Sequence, residues 1–245
     1  MIPIGVVREL VRYPVKSMRG TAAESVELGW HGLAGDRRFA FRKLEDRSGF
    51  PWLTASRLPS LIAYEPVVVG REPGAARVEE VRTPAGNLLP LRGPALQEEL
   101  SAAFGSPLEL MELNSGIFDD AAVSIISLAT IAGIGAEAGM EIDRRRMRAN
   151  VFVETGDPSP FLEDRWVGGT LVFGDGDSAP AVTITARDVR CVMVNLDPGT
   201  AEKDVRVMKA VVRLNANCAG VYGAVTRTGS VHAGQRVSLL QSRQS

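Results

Sequence analysis

Short apolar or alternating runs, each cut off by Gly, Pro or Asp, recur along the whole chain, and few segments carry a helical repeat. Residues 4–7, 23–28, 38–42, 61–69 and 78–83 are such runs in the first half, and each has the length and punctuation of a strand. One helix interrupts them. In GPALQEELSAAFG, Pro94 opens the helix, Leu96, Leu100 and Phe104 fall on one face, and Gly105 closes it. A second unit begins near Asp119. Ile125-Ile126 predicts a strand, Ser127 an N-cap, and SLATIAGIGAEAG a glycine-weakened helix with Leu128, Ile131 and Ile134/Gly135 turned inward. Residues 151–153 predict a buried strand and FLEDRW a single helical turn. Later, Val182, Ile184 and Ala186 share one face, and residues 221–226 and 236–240 predict hairpin arms around RTGSVHAGQ. Regular strands with few helices favour a mostly β (α+β) chain, a barrel or folded sheet, over a doubly wound α/β domain. With no internal repeat, the expected division is 1–118 and 119–245.

With 245 residues, 45% hydrophobic and 23% charged, the chain can bury a substantial core. Its formal net charge of -1 gives no electrostatic reason to expect nucleic acid or a membrane as partner. MIPIGVVREL lacks a basic start with a long apolar core, so no secretory signal is expected. The longest uncharged run, residues 121–136, falls short of the ~18 apolar residues that span a bilayer. The expectation is a soluble cytoplasmic protein. Two cysteines, Cys191 and Cys218, make no disulfide framework, and with His31 and His232 alone there is no Cys/His zinc pattern.

Four basic or polar clusters remain: Lys16-Ser17 behind Pro14, GDRRF at 35–39, DRRRMRAN at 143–150 and RDVRC at 187–191. Proline fixes its own φ and pushes Tyr13 towards an extended conformation, so Lys16 and Ser17 are held firmly in one place. Each cluster has an ordinary reading as well. The run from Arg144 to Arg148 suits the solvated face of a helix, and Cys191 alone suits a small buried hydrophobe. Cys218 has no charged neighbour and is expected to be structural. No G-x-S-x-G elbow, Walker loop or G-x-G-x-x-G is present, and GDGD at 174–177 suits a β-turn better than a calcium loop.

Taken together, the clusters resemble the MOSC family, named after the molybdenum-cofactor sulfurase C-terminal domain, with the β-barrel lobe that commonly precedes it. YPVKS followed by Arg19-Gly20, HGLAGDRRF and PWLTASRLPSL are similar to segments of that N-terminal lobe. RRRMRANVFV, RDVRCVMVNLDPGT and GVYGAVTRTGSVHAGQRVSLL are similar to the arginine-x-Asn segment, the arginine-cysteine segment and the closing glycine-rich hairpin. The resemblance covers nearly the whole chain in order. It implies a MOSC β-barrel domain preceded by a β-rich N-terminal lobe with a few short helices, nearest in function to the amidoxime-reducing enzymes.

The resemblance also implies roles. Cys191 would be the catalytic thiolate ligating molybdenum. Lys16, Ser17, Arg38, Arg148 and Asn150 would hold the phosphate and pterin of the molybdenum cofactor (Mo-molybdopterin), with Ser127 and Arg190 as weaker carry-overs. A soft sulfur ligand suits a thiolate-rich redox metal, and a buried phosphate needs charge-assisted donors. The implied activity is two-electron reduction of a small N-oxygenated (N-hydroxylated) substrate. Two cysteines cannot supply an iron–sulfur cluster, so a separate flavin or iron–sulfur reductase is implied as electron donor. The alternative is a sulfur carrier or cofactor-binding module using a Cys191 persulfide; no pyridoxal-phosphate desulfurase domain is expected. Met18, Ala149 and Val194-Asn195 stand where relatives often carry cysteine, proline and a pair of threonines, and the stretch after Asp119-Asp120 lacks their Ser-Pro. These departures touch the walls of the site and substrate choice.

Overall fold

The computed structural model describes residues 1–70 and 77–241. In chain order its elements are β1 (Ile2–Arg12), β2 (Thr21–Ala23), β3 (Ser25–Gly29), β4 (Gly32–Leu33), β5 (Phe39–Lys43), β6 (Glu65–Val69), β7 (Arg77–Arg82) and β8 (Leu88–Pro90). There follow α1 (Pro94–Phe104), β9 (Leu108–Glu112), β10 (Val123–Ser127), α2 (Leu128–Ala138), β11 (Val151–Thr155), β12 (Thr170–Phe173) and β13 (Ala181–Val189). The chain ends in α3 (Val205–Asn215), β14 (Cys218–Arg227), β15 (Gly229–His232) and β16 (Arg236–Leu240).

The fold is mostly β, as expected. Strands β11, β10, β14, β13, β12, β16 and β1 hydrogen-bond in that order, and β1 pairs back onto β11 to close a seven-stranded barrel. Only β10 and β11 run parallel among these neighbours. Closure removes the exposed edges that an open sheet would leave. The interior is filled by the inward-facing side chains, among them Val7, Ile125, Val153, Leu171, Phe173, Val182 and Val221. Although β1 and β3 come from the first 118 residues, β1 is a barrel stave and β3 pairs with β15. The chain division near 119 is therefore crossed by the sheet.

The rest of the first half forms a lobe from the β5–β9 pair, the β6–β7–β8 sheet and α1. Leu96 and Leu100 of α1 are fully buried in its core, a burial that stabilises by about 1.5–3 kcal/mol each. Val15, Met18, Met193 and Leu196 join the same core. The Pro14 segment and the turn after Cys191 thus meet at the seam between lobe and barrel. Outside the barrel, Ile126 and Phe152 pack beneath α2 and α3 through Ile131, Ile134, Val207, Ala210 and Val211.

Several expectations change. Residues 61–69 are not one strand: a 3-10 turn at Pro59–Ala63 buries Leu61 and Ile62 before β6 starts. The arms at 221–226 and 236–240 do not pair, because β14 lies between β10 and β13 while β16 lies between β12 and β1. Helix α3 has no counterpart in the expectations, although Asp204 caps it by accepting from the Arg206 N–H and Val207, Ala210 and Val211 carry a helical spacing. Ala186 does not share the inward face of Val182 and Ile184. The ladder of β13 shifts register between Ile184 and Ala186 and again after Arg187, leaving Ala186 exposed and burying Asp188. Bulges re-aim side chains in this way. Among the described residues no helix is long and apolar enough to cross a membrane.

Candidate functional site

The Pro14 segment is fastened to the loop before β5 at both ends. The Tyr13 N–H donates to Asp36 Oδ1 (2.6 Å), the Arg37 N–H to Tyr13 O (2.8 Å) and the Lys16 N–H to Phe39 O (2.8 Å). This places Lys16 and Ser17 at the seam, with Ser17 held at φ 66. They line a cleft of about 220 Å³ together with Arg37, Asp119, Arg148 and Cys191.

The charges in this cleft are of two kinds. Arg37 is compensated: its Nη1 meets Asp36 at 2.5 Å, its Nε meets Asp119 at 2.5 Å, and it donates to Asn150 Oδ1 (3.1 Å) and Arg148 O (2.9 Å). Burial opposes its charge, but Asp36 and Asp119 outweigh burial and raise its pKa. Asp119 is itself pushed up by burial and pulled further down by Arg37 and Lys16, so its carboxyl ends below the usual range.

Lys16 and Arg148 are not compensated in this way. Lys16 Nζ donates to Phe118 O (2.7 Å) and lies 5.5 Å from the centroid of the Phe50 ring. Arg148 donates from Nη1 to Met18 O (2.8 Å), and its guanidinium lies 4.3 Å from the centroid of the Tyr13 ring. Among the described residues neither forms an ion pair with a carboxylate. Burial is the main cause that lowers both pKa values. The Tyr13 ring, between the guanidiniums of Arg37 (5.0 Å) and Arg148, has its own pKa pushed up to about 12, chiefly by burial.

Cys191 is exposed and begins the 3-10 turn Val192–Asn195. Its neighbours are fixed. Arg190 donates to Ala219 O and Met147 O, both at 2.6 Å, and pairs with Asp188 at 2.8 Å. Arg146 holds the far end of the turn through Asn195 O (2.8 Å) and Asp197 (2.8 Å). Asp188 also accepts from Ser124 Oγ (2.7 Å), and burial pushes its pKa up against the pull of Arg190. Tyr222 faces Asp188 from β14, and burial raises its pKa too.

Of the expected site residues, Lys16, Ser17, Arg148, Arg190 and Cys191 meet at this one cleft. Three do not line it. Arg37 ends a turn with φ 44, and Arg38, just after it, points away from the cleft; its Nη2 donates to Leu113 O and it lines a separate pocket. Ser127 is fully buried as the N-cap of α2, accepting from the Thr130 N–H and donating to Thr130 Oγ1 (3.1 Å each). Asn150 is fully buried behind the cleft, where it holds Arg37, accepts from the Ser124 N–H (3.1 Å) and donates to Val11 O (3.2 Å). Arg190 lines the cleft with Nε and Nη1 committed to backbone carbonyls and Nη2 facing Asp188. Cys218 is buried, with Sγ 3.7 Å from Ala216 O. Sequence reasoning missed Asp119, Asp188 and Tyr222. The spacing of Asp188 and Arg190, two apart at the end of β13, was the available sign of a pair on one face. Met18 and Ala149 are fully buried packing residues, whereas Val194 lines the cleft.

The donor set fits a cofactor of one kind. Among the described residues no group of three or more His, Cys, Asp or Glu side chains could hold a metal ion. A metal here would arrive with its own ligands and take one thiolate from the protein. Two uncompensated cations beside that thiol suit an anionic group such as a phosphate.

The family model described as the MOSC domain matches residues 105–238, and that described as the MOSC N-terminal beta barrel domain matches residues 4–91. No curated protein matches the chain. Among solved structures, the YUAD protein from Bacillus subtilis is similar at 16% identity, with a TM-score of 0.53 over 98% of this chain and 97% of that one. At that identity the likeness is one of fold. YiiM from Geobacillus stearothermophilus is similar at 15% identity over 50% of this chain and 55% of that one, with a TM-score of 0.38. MOSC domains are associated with molybdenum-cofactor sulfurase-like proteins and with binding of that cofactor.

Proposed function

This chain belongs to the MOSC family, and from that premise we propose that it binds the molybdenum cofactor and reduces a small N-oxygenated substrate, with Cys191 as the protein's molybdenum ligand. The observation that carries the reading is the exposed Cys191 thiol in one cleft with two cations, Lys16 and Arg148, that form no ion pair among the described residues. Bound, the cofactor supplies a two-electron redox centre. The chain's own part is binding, orientation and charge.

Lys16 and Arg148 hold the cofactor phosphate. Each gains a countercharge on binding, which offsets the desolvation that lowers its pKa. Asn150, Asp36 and Asp119 fix Arg37, and Arg190 and Arg146 fix the two sides of the Cys191 turn, so the thiol is carried on a turn held at both ends. Overall, the N–O bond of the substrate is cleaved, two electrons and two protons are consumed, and water leaves. The electrons come from a separate flavin or iron–sulfur reductase.

The exposure of Cys191 also favours a second reading, a sulfur carrier bearing a persulfide there. Metal and sulfur analysis of protein purified from a host that makes the cofactor separates the two. Near-stoichiometric molybdenum, lost in Cys191→Ala, with reduction of an amidoxime by a chemical electron donor, supports the first reading. Sulfane sulfur on Cys191 without molybdenum supports the second and overturns the first.

A further inference from the structure

The arginine pair of GDRRF serves two sides of one wall. Arg37 faces the Cys191 cleft, while Arg38 faces a separate pocket of about 240 Å³ between the end of β1 and the β5 and β7 strands of the lobe. Arg12, from the last position of β1, enters the same pocket, as does Arg92, and Pro14, Phe39 and Val78 supply apolar wall.

The charge balance of this pocket departs from how the chain treats its buried arginines. Arg37, Arg146 and Arg190, all nearly fully buried, each face a carboxylate within 2.8 Å. In the second pocket Arg92 is matched, since it grips Glu112 through Nε (3.1 Å) and Nη2 (2.8 Å) and stacks on the Phe39 ring at 4.9 Å. Arg12 and Arg38 are only partly exposed and have no carboxylate in ion-pairing range among the described residues. Arg12 makes one long contact, from Nη1 to Ala34 O at 3.5 Å, and its inaccessible Nε has no acceptor. Arg38 is held by the Leu113 carbonyl through Nη2. Asp36, the nearest carboxylate to act on Arg12, is already engaged by Arg37 and the Tyr13 N–H.

A guanidinium removed from water without an anion is costly, and two such forks converging on a partly apolar hollow match a planar or tetrahedral oxyanion. The rim also carries Arg77 and Glu79, both exposed and neither in an ion pair among the described residues, so their charges offset and Arg12 and Arg38 remain as the pocket's net positive charge. We propose that the pocket formed by Arg12, Arg38 and Phe39 is a second binding site, distinct from the Cys191 cleft, for a small organic anion with a carboxylate or phosphate head and a short apolar body. Arg12 and Arg38 take the oxyanion, and Phe39, Pro14 and Val78 cover the body. This site does not depend on what the Cys191 cleft binds.

The test is isothermal titration of the full chain with benzoate and with phenyl phosphate, inorganic phosphate serving as the head group alone. Saturable binding of at least one aryl probe at a site that Arg12→Met and Arg38→Met each weaken tenfold or more, and that persists in Lys16→Met whatever the probe does at the Cys191 cleft, supports the proposal. Tighter binding of one aryl probe identifies which head group the arginines favour. Circular dichroism and thermal melting of the variants separate loss of the site from loss of the fold. If one variant does not fold, the other decides. The proposal is overturned if neither aryl probe binds the folded protein, if inorganic phosphate binds as tightly as both, or if binding is lost in Lys16→Met while Arg12→Met and Arg38→Met retain it.

Discussion

Replacing Arg190 by methionine separates an arginine that builds the site from one that binds in it. Arg190 is 8% exposed and Asp188 1% exposed, and the two meet at 2.8 Å. The substitution removes the counterion of a buried carboxylate and also deprives Ala219 O and Met147 O of their donors. Removing one partner of a buried pair costs about 3–5 kcal/mol, because the other charge stays buried and unpaired. For a chain of this size each kcal/mol lowers Tm by about 2–4 °C, so Arg190→Met should melt roughly 6–20 °C below the parent. The assay is thermal and urea denaturation of cofactor-free protein, so that ligand binding contributes nothing. The deficit should also depend on pH. Without Arg190 the folded pKa of Asp188, already raised by burial, rises further above its unfolded value. Stability associated with such a group is complete below the ordinary carboxylate pKa and is lost as pH climbs through the raised one. The gap to the parent should therefore narrow in mild acid and widen towards neutrality. Adding Asp188→Asn should restore more than half of the loss by removing the stranded charge. An Arg190→Met protein as stable as the parent across this range, yet unable to hold cofactor, would show that Arg190 contacts the ligand and that the pairing described above is not what it is for.

Asn150→Ala removes three buried hydrogen-bonding partners, Val11 O, Ser124 N and Arg37. It should destabilise by about 2–4 kcal/mol in urea titration, since groups left unsatisfied cost about 1–3 kcal/mol each and part relaxes. Lys16→Met should leave the cofactor-free fold at least as stable at neutral pH, with the gain vanishing as pH rises past the lowered Lys16 pKa, while molybdenum per folded molecule falls. Measured molybdenum unchanged in that variant would remove Lys16 from the binding set. Gly220→Ala should destabilise and disturb the Arg190 side of the cleft, because Gly220 has φ +84 and a Cβ there would lie 2.7 Å from Ile125 O. Cys218→Ser should leave molybdenum content and turnover unchanged, its sulfur being engaged only with Ala216 O.

What the sequence alone could determine was whatever is written in local pattern. The repeated punctuation of short runs by Gly, Pro and Asp specified strands and hence a mostly β chain, a barrel or folded sheet, because a strand's period of two and its turn residues are near-neighbour properties. Pro94, the Leu96–Leu100 spacing and Gly105 specified α1 for the same reason. The order of the Lys16, Arg148 and Cys191 segments along the chain was enough to mark the family. Which strand pairs with which is a non-local matter, and so the 221–226 and 236–240 runs looked like a hairpin although each is flanked by other strands. Likewise Arg37 and Arg38 are chemically identical in sequence, and only the loop carrying them, pinned by Tyr13 and Asp36, decides which guanidinium enters the cleft. Ser127 and Asn150 show the same division: their polarity was legible, but whether a buried amide or hydroxyl binds a ligand or satisfies its own backbone depends on what packs against it from far along the chain. Asp188 is the sharpest case. The spacing in RDVRC hints at an Asp188–Arg190 pair on one face, but that the pair is buried emerges only when β13, with its shifts of register, is laid against β14.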